Sequence, residues 1–235
     1  MSDDVERATS AIEQLVELHR LTLPQADGSA NLRQLLVAYG WWTRIVHSAQ
    51  AIMAVHSAGV AHEAAPLVRA LIHHAVALKW VADFPDEATE AITWEHGLQG
   101  DRTVRKAIDR GWDIDPGAGP QRPVDGEPEG YKYLRSMEKL CGRADMAQAF
   151  VPLLIESKFA HPTGISADAY LSGDWPNVVL VQHPDVYTPL GASALFAAEA
   201  TIQFGKIAGL PAVIEGATAL RDEMIEVVQQ SETTT

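Results

Sequence analysis

Apolar residues recur along this chain at helical spacing, and the spacing predicts about seven helices. Ile12, Leu15, Val16, Leu18 and Leu21 mark a first helix over 2–21, with Ser2 or Asp3 as its cap and acids in its first turn. Pro24 to Gly28 interrupts the pattern. Ser29 then opens a second helix to about residue 57, on which Leu35, Trp42, Ile45, Ala49 and Ile52 form a wide stripe. Gly40 in that helix either admits a close crossing or weakens its middle, and Gly59 is placed to cap it. A third helix follows to about residue 83, with Pro66 tolerated in its first turn. Nearly every direction around it carries an apolar side chain, which predicts a helix buried on most sides. A fourth begins at Pro85 and ends near residue 112. The pattern resumes over 131–141 and again over 143–159, where Pro152 predicts a kink or break. Two last helices start at Thr188-Pro189 and Leu210-Pro211 and run to about residues 208 and 230.

Between them lie two irregular stretches. Residues 113–130 hold four prolines and four glycines, an exposed loop that is either a lid or an inert insertion. Asn177-Val178-Val179-Leu180-Val181-Gln182 is the one strand-like run, and it either pairs with a symmetry mate or lies as an extended buried segment. The expected fold class is an all-α, multi-helix bundle with at most one short strand. It forms a single domain over 1–235 and ends in a disordered tail over 231–235.

Composition narrows the classes. A hydrophobic content of 47% is that of a globular chain, and the lone Cys141 excludes an internal disulfide, as expected of a cytoplasmic protein. The apolar stretch near the C-terminus is broken by Glu199, Gln203 and Lys206, which argues against a membrane span. A net charge of −13 disfavours broad binding to DNA or anionic lipid. Nine of the eighteen Lys and Arg nevertheless fall between Arg102 and Arg143 against seven acids, a local excess of +2 that suits a small anion.

The candidate chemistry centres on the third helix. Arg69, His73 and His74 lie within six residues of an otherwise apolar helix, and Arg69 and His73 share a face. An arginine keeps its charge in a core, so a buried Arg69 requires a carboxylate, carbonyls, water or a ligand anion. His161, at a later helix end with Ser157 one turn before it, gains from the helix dipole in its charged form and fits a general acid or base. Lys132, Arg135, Lys139 and Arg143 recur every three or four residues as a basic stripe. His47, His56, His62, His73, His74 and Glu95-His96 supply enough ligands for a bundle metal site. No Glu-x-x-His pair occurs, so neither metal nor cofactor is assigned, and a helical metalloprotein stands as an alternative. No phosphate-binding glycine loop, nucleophile elbow or dinucleotide fingerprint is present.

A long helix, then Leu67-Val68-Arg69-Ala70-Leu71-Ile72-His73-His74-Ala75 on a second, then Ser157-Lys158-Phe159-Ala160-His161-Pro162 near the end of a third, resembles uncharacterised bacterial and phage proteins of the HEPN (higher eukaryote and prokaryote nucleotide-binding) superfamily. The resemblance covers residues 30–165. It implies a homodimer acting on RNA or a nucleotide, as a metal-independent endoribonuclease in a toxin or phage-defence role. Arg69, His74 and His161 would be catalytic, with His73, Ser157, Arg135 and Lys139 binding the ligand. A non-catalytic protein-interaction module is the alternative from another class.

Overall fold

A computed structural model describes residues 3–22, 31–117, 119–120, 126–161, 171–172, 179–180 and 189–232. The chain is an all-α bundle. Its helices among the described residues are α1 (Asp3–Leu21), α2 (Leu32–Ser57), α3 (Ala65–Asp83), α4 (Pro85–Asp109), α5 (Tyr131–Leu134), α6 (Met137–Arg143), α7 (Phe150–Ala160), α8 (Leu190–Ala208) and α9 (Pro211–Glu232). One-turn 3-10 segments, Ala61–Ala64 and Ala147–Ala149, lead into α3 and α7. The expected break over 24–28, the Ser2 cap, the Ser29 start and the tail beyond residue 232 lie outside the described residues.

Helices α2, α3 and α8 form the centre, with α1 and α9 packed against α8, α4 leaving the end of α3 and α7 lying along α3. Trp42 explains how α2 and α8 lock. Its ring stacks on Phe204 with centroids 4.1 Å apart, and its Nε1 donates to Thr201 Oγ1 at 2.9 Å. Thr201 in turn donates to the Ala197 carbonyl, so a fully buried indole and hydroxyl satisfy each other. A polar rail on α8 is equally local: Gln203 donates to Glu199, and Lys206 donates to Gln203.

Most helix ends follow local chemistry. Asn31 caps α2 by accepting from the Gln34 backbone N–H. Gly59 adopts φ +76° just past α2, as its position predicts, and Val60 N–H returns to the Val55 carbonyl. A methyl group at Gly40 would meet nothing within 4 Å, so this glycine weakens α2 without admitting a neighbour. Pro85 opens α4 at the position where its missing N–H costs nothing.

Three expectations are corrected. The helix predicted over 131–141 is two helices, because Ser136 takes an extended backbone (φ −141°, ψ 109°) and caps α6 through the Lys139 N–H. Pro152 neither kinks nor breaks α7. That helix starts at Phe150, so Pro152 sits in the first turn, where no backbone N–H is needed. The strand-like run contributes Val179–Leu180, which pairs antiparallel with Leu171–Ser172 of the same chain; the rest of the run lies outside the described residues.

Candidate functional site

Helix α3 presents one open edge. Val68, Leu71, Ile72, Ala75, Val76 and Leu78 are fully buried, whereas Pro66 and Arg69 are exposed and His73 is half-buried. Positions 66, 69 and 73 follow the i, i+3, i+7 spacing of a single stripe. Arg69 is therefore not lodged in the core, as its apolar surroundings in sequence suggest. It projects from the side of α3 that the neighbouring helices leave open.

Its Nε donates to Ser157 Oγ at 2.8 Å, and the Ser157 hydroxyl donates to the Leu153 carbonyl at 2.7 Å. That chain of bonds ties α3 to α7. Among the described residues the Arg69 guanidinium enters no ion pair, which leaves its outer edge available to an anion. His161 ends α7 in an extended conformation (φ −116°, ψ 155°), one turn beyond Ser157, with its side chain exposed.

Both histidines are held neutral near pH 7. Burial, then the neighbouring His74, then the Arg69 charge push His73 down from 6.5 to about 4. His74 is also lowered, chiefly by burial and further by the nearby Arg44; a backbone bond opposes the shift. That bond fixes the tautomer. His74 Nδ1 lies 2.6 Å from the Ala70 carbonyl oxygen, which can only accept, so Nδ1 carries the proton and Nε2 is left as an acceptor. The imidazole also meets the Trp41 ring edge-on, centroids 6.0 Å apart. Trp41 and Arg44, three apart on α2, thus join the site. Their shared helical face was the available signal in sequence, but nothing there linked it to α3.

Arg135 and Lys139 do not belong to this constellation. Both are exposed, and Arg135 makes a long ion pair with Glu127 at 3.8 Å. Arg135 ends α5 and Lys139 lies on α6, and α5 packs near Trp80 through the Trp80–Tyr133 ring contact. Eleven residues separate Trp80 from Arg69, roughly 16 Å along the helix axis. The other half of the predicted basic stripe is structural. Arg143 lies over the Phe84 ring at 3.3 Å and forks onto Glu87 at 3.0 and 3.1 Å, while Glu87 also accepts from Trp80 Nε1 at 2.7 Å.

The candidate metal ligands are dispersed. His47 stacks edge-on with His19, His62 meets Phe159 and His96 is exposed on α4. Among the described residues no three His, Cys, Asp or Glu side chains come together as a metal cluster. Cys141 is buried, and burial pushes its thiol pKa up, as for a small core residue. Among the described residues no helix is long and apolar enough to cross a membrane.

Residues 35–108 match the model of a family of unknown function, DUF5677. The matched span runs from early α2 through nearly all of α4, so it contains Trp41, Arg44, Arg69, His73 and His74 but neither Ser157 nor His161. No curated protein and no solved structure matches the chain.

Proposed function

We propose that the open edge of α3 carries out acid–base chemistry on a phosphodiester, making the protein a metal-independent endoribonuclease. The observations that carry this reading are an exposed guanidinium that enters no ion pair among the described residues and, five residues on along the same helix, a neutral, tautomer-fixed His74. His74 Nε2 takes the proton of a ribose 2′-hydroxyl, and the freed oxygen attacks phosphorus. The bond from phosphorus to the 5′-oxygen breaks, leaving a 2′,3′-cyclic phosphate, and His161 supplies the proton that the departing 5′-oxygen needs. Arg69 neutralises the charge that builds on the phosphoryl oxygens, and Ser157 holds that guanidinium in place. His73, too weak a base to share this role, supplies a neutral hydrogen-bonding group beside Arg69. The HEPN resemblance implies the same chemistry, and a toxin or phage-defence role follows from that resemblance alone.

The test is cleavage of a fluorescent single-stranded RNA in excess chelator. Wild-type protein is expected to release cyclic-phosphate ends, with Arg69→Ala and His74→Ala each losing at least about a hundredfold in rate while keeping a helical circular-dichroism spectrum. Equal rates in all three proteins remove the catalytic reading.

A second reading, association through α7, is favoured by a specific observation. Val151, Leu154 and Ile155 on that helix are 59%, 47% and 45% exposed, an apolar face next to Ser157. A homodimer formed there brings two Arg69 edges together. Sedimentation analysis is expected to give a dimer that Leu154→Glu converts to monomer; a wild-type monomer at high micromolar concentration excludes it.

A further inference from the structure

Helices α2 and α3 pack along each other, and two contacts fix their register. Gln34 Nε2 donates to the Val81 carbonyl at 2.9 Å, and the Trp41 ring meets His74 edge-on. Seven positions forward on α2, from 34 to 41, match seven positions back on α3, from 81 to 74, so the two helices run antiparallel. In that register Arg44 falls level with Leu71, roughly 3 Å along the axis from Arg69. Arg44 shares the Trp41 face of α2. Burial lowers the His74 pKa most, and the Arg44 charge lowers it further, so the guanidinium is within reach of that ring. Arg44 is exposed and, like Arg69, enters no ion pair among the described residues.

Two cations therefore flank the open edge of α3. Around that helix, at about 100° per residue, His73 lies about 40° from Arg69, Ala70 about 100° and His74 about 140°. All three are half-buried, and none of residues 69–74 is acidic. Arg69 marks the border with α7, where Ser157 holds it and His161 ends the helix. His74 marks the border with α2, where Trp41 and Arg44 stand. The two guanidiniums start from opposite borders and from helices whose axes lie roughly 8–10 Å apart, so each can take a phosphate of its own. Two cations in a row across an edge suit a phosphate chain better than a single anion.

We propose that Arg44 binds the phosphate immediately 5′ to the attacked ribose, so that an RNA strand crosses the α3 edge with its 5′ side on α2 and its 3′ side on α7. The direction follows from the chemistry at each border. His74, which takes the 2′-hydroxyl proton, shares the α2 border with Arg44. His161, which gives a proton to the departing 5′-oxygen, shares the α7 border with Arg69. The 5′-phosphate of a nucleotide leaves its sugar on the side away from the 3′-phosphate. It therefore points to Arg44 while Arg69 takes the scissile group. The roles of His74 and His161 rest on the ribonuclease reading above, but the Arg44 contact can be measured without cleavage.

The experiment has a cleavage arm and a binding arm, both on the full chain in excess chelator. The first compares the dinucleotide UpA with pUpA and UpAp, which carry one more phosphate at the 5′ or the 3′ end. In kcat/KM, pUpA is expected to exceed UpA by at least about tenfold and UpAp to show no such gain. Arg44→Gln is expected to bring pUpA down to the UpA rate of the same variant, and Arg44→Lys, which keeps the charge, to retain part of the advantage. The second arm titrates the uncleavable 2′-deoxyuridine analogues dUpA and pdUpA, following the Trp41 indole N–H by NMR. Tighter binding of pdUpA by at least about tenfold is expected, a difference lost in Arg44→Gln. This arm decides alone if neither dinucleotide is cut. A wild type indifferent to the 5′-phosphate, a gain that belongs to UpAp instead, or a 5′-phosphate effect that survives Arg44→Gln overturns the proposal. Protein that cuts RNA without that preference keeps the α3 site and loses Arg44. Protein that binds pdUpA through Arg44 but never cuts RNA supports the phosphate contact and loses the ribonuclease reading.

Discussion

Arg69 and Ser157, 88 residues apart, meet through one 2.8 Å hydrogen bond that joins the exposed edge of α3 to α7. The bond lies at the surface, where a neutral acceptor contributes about 0.5–1.5 kcal/mol. Ser157→Ala is therefore expected to lower stability by no more than about 1.5 kcal/mol in urea unfolding. If Arg69 acts on a phosphate, the same variant slows RNA cleavage well beyond that energy, because the guanidinium loses its anchor. A large loss of stability with unchanged cleavage contradicts both halves of the claim.

The neutrality of His73 has a definite pH signature. Its folded pKa of about 4 lies below its ordinary 6.5, so below 6.5 the unfolded chain binds the proton first. The stability associated with His73 is thus complete above about pH 6.5 and declines as pH falls toward 4, by up to about 3 kcal/mol. His73→Asn is expected to flatten that part of the pH–stability curve, while the acid loss due to carboxylates persists in both proteins. Parallel curves for wild type and variant between about pH 6.5 and 4 refute the assignment.

Glu87 is the hub at the other end of α3. Its carboxylate opposes its own burial by accepting from Arg143 and from the fully buried Trp80, and the balance holds its pKa below the usual carboxylate value. Glu87→Ala leaves the Trp80 N–H without an acceptor in the core and is expected to cost about 2–4 kcal/mol. Glu87→Gln keeps an acceptor for Trp80 and loses only the ion pair, so it costs less than the alanine. Chemical denaturation of the two variants side by side checks the order.

How much of this was legible in the chain depends on range. The bundle, the Gly59 cap, the Pro85 start and the buried character of α3 are local, written in spacing and capping residues within one or two turns. The exposure of Arg69 was not, because periodicity counts apolar directions and cannot say which narrow stripe a neighbouring helix leaves open. Ser136 was a visible cap that competed with an uninterrupted helical pattern, and the cap won. The Glu87–Arg143 fork spans 56 residues and the Arg69–Ser157 bond spans 88. Only tertiary packing assembles such things, so Arg143 reads in sequence as part of a basic stripe rather than as a core partner.

The α8–α9 hairpin shows the same dependence at a single atom. Gly209 takes φ +66° to end α8, Leu210 N–H returns to the Gly205 carbonyl, and Pro211 starts α9 at once. So tight a turn brings the two helices together at Gly205, where a Cβ would stand 2.8 Å from Ile214 Cγ1 and 3.4 Å from the Ile214 nitrogen. Gly205→Ala gains helix propensity yet must push the helices apart or twist Ile214, and overpacking of this kind costs about 1–3 kcal/mol. The side-chain clash is the closer of the two, so Ile214→Ala in the same chain is expected to recover most of the loss attributable to overlap. In a double-mutant cycle by thermal unfolding, the two substitutions together should cost less than the sum of each alone. Strict additivity would mean that the glycine serves the turn and not the crossing.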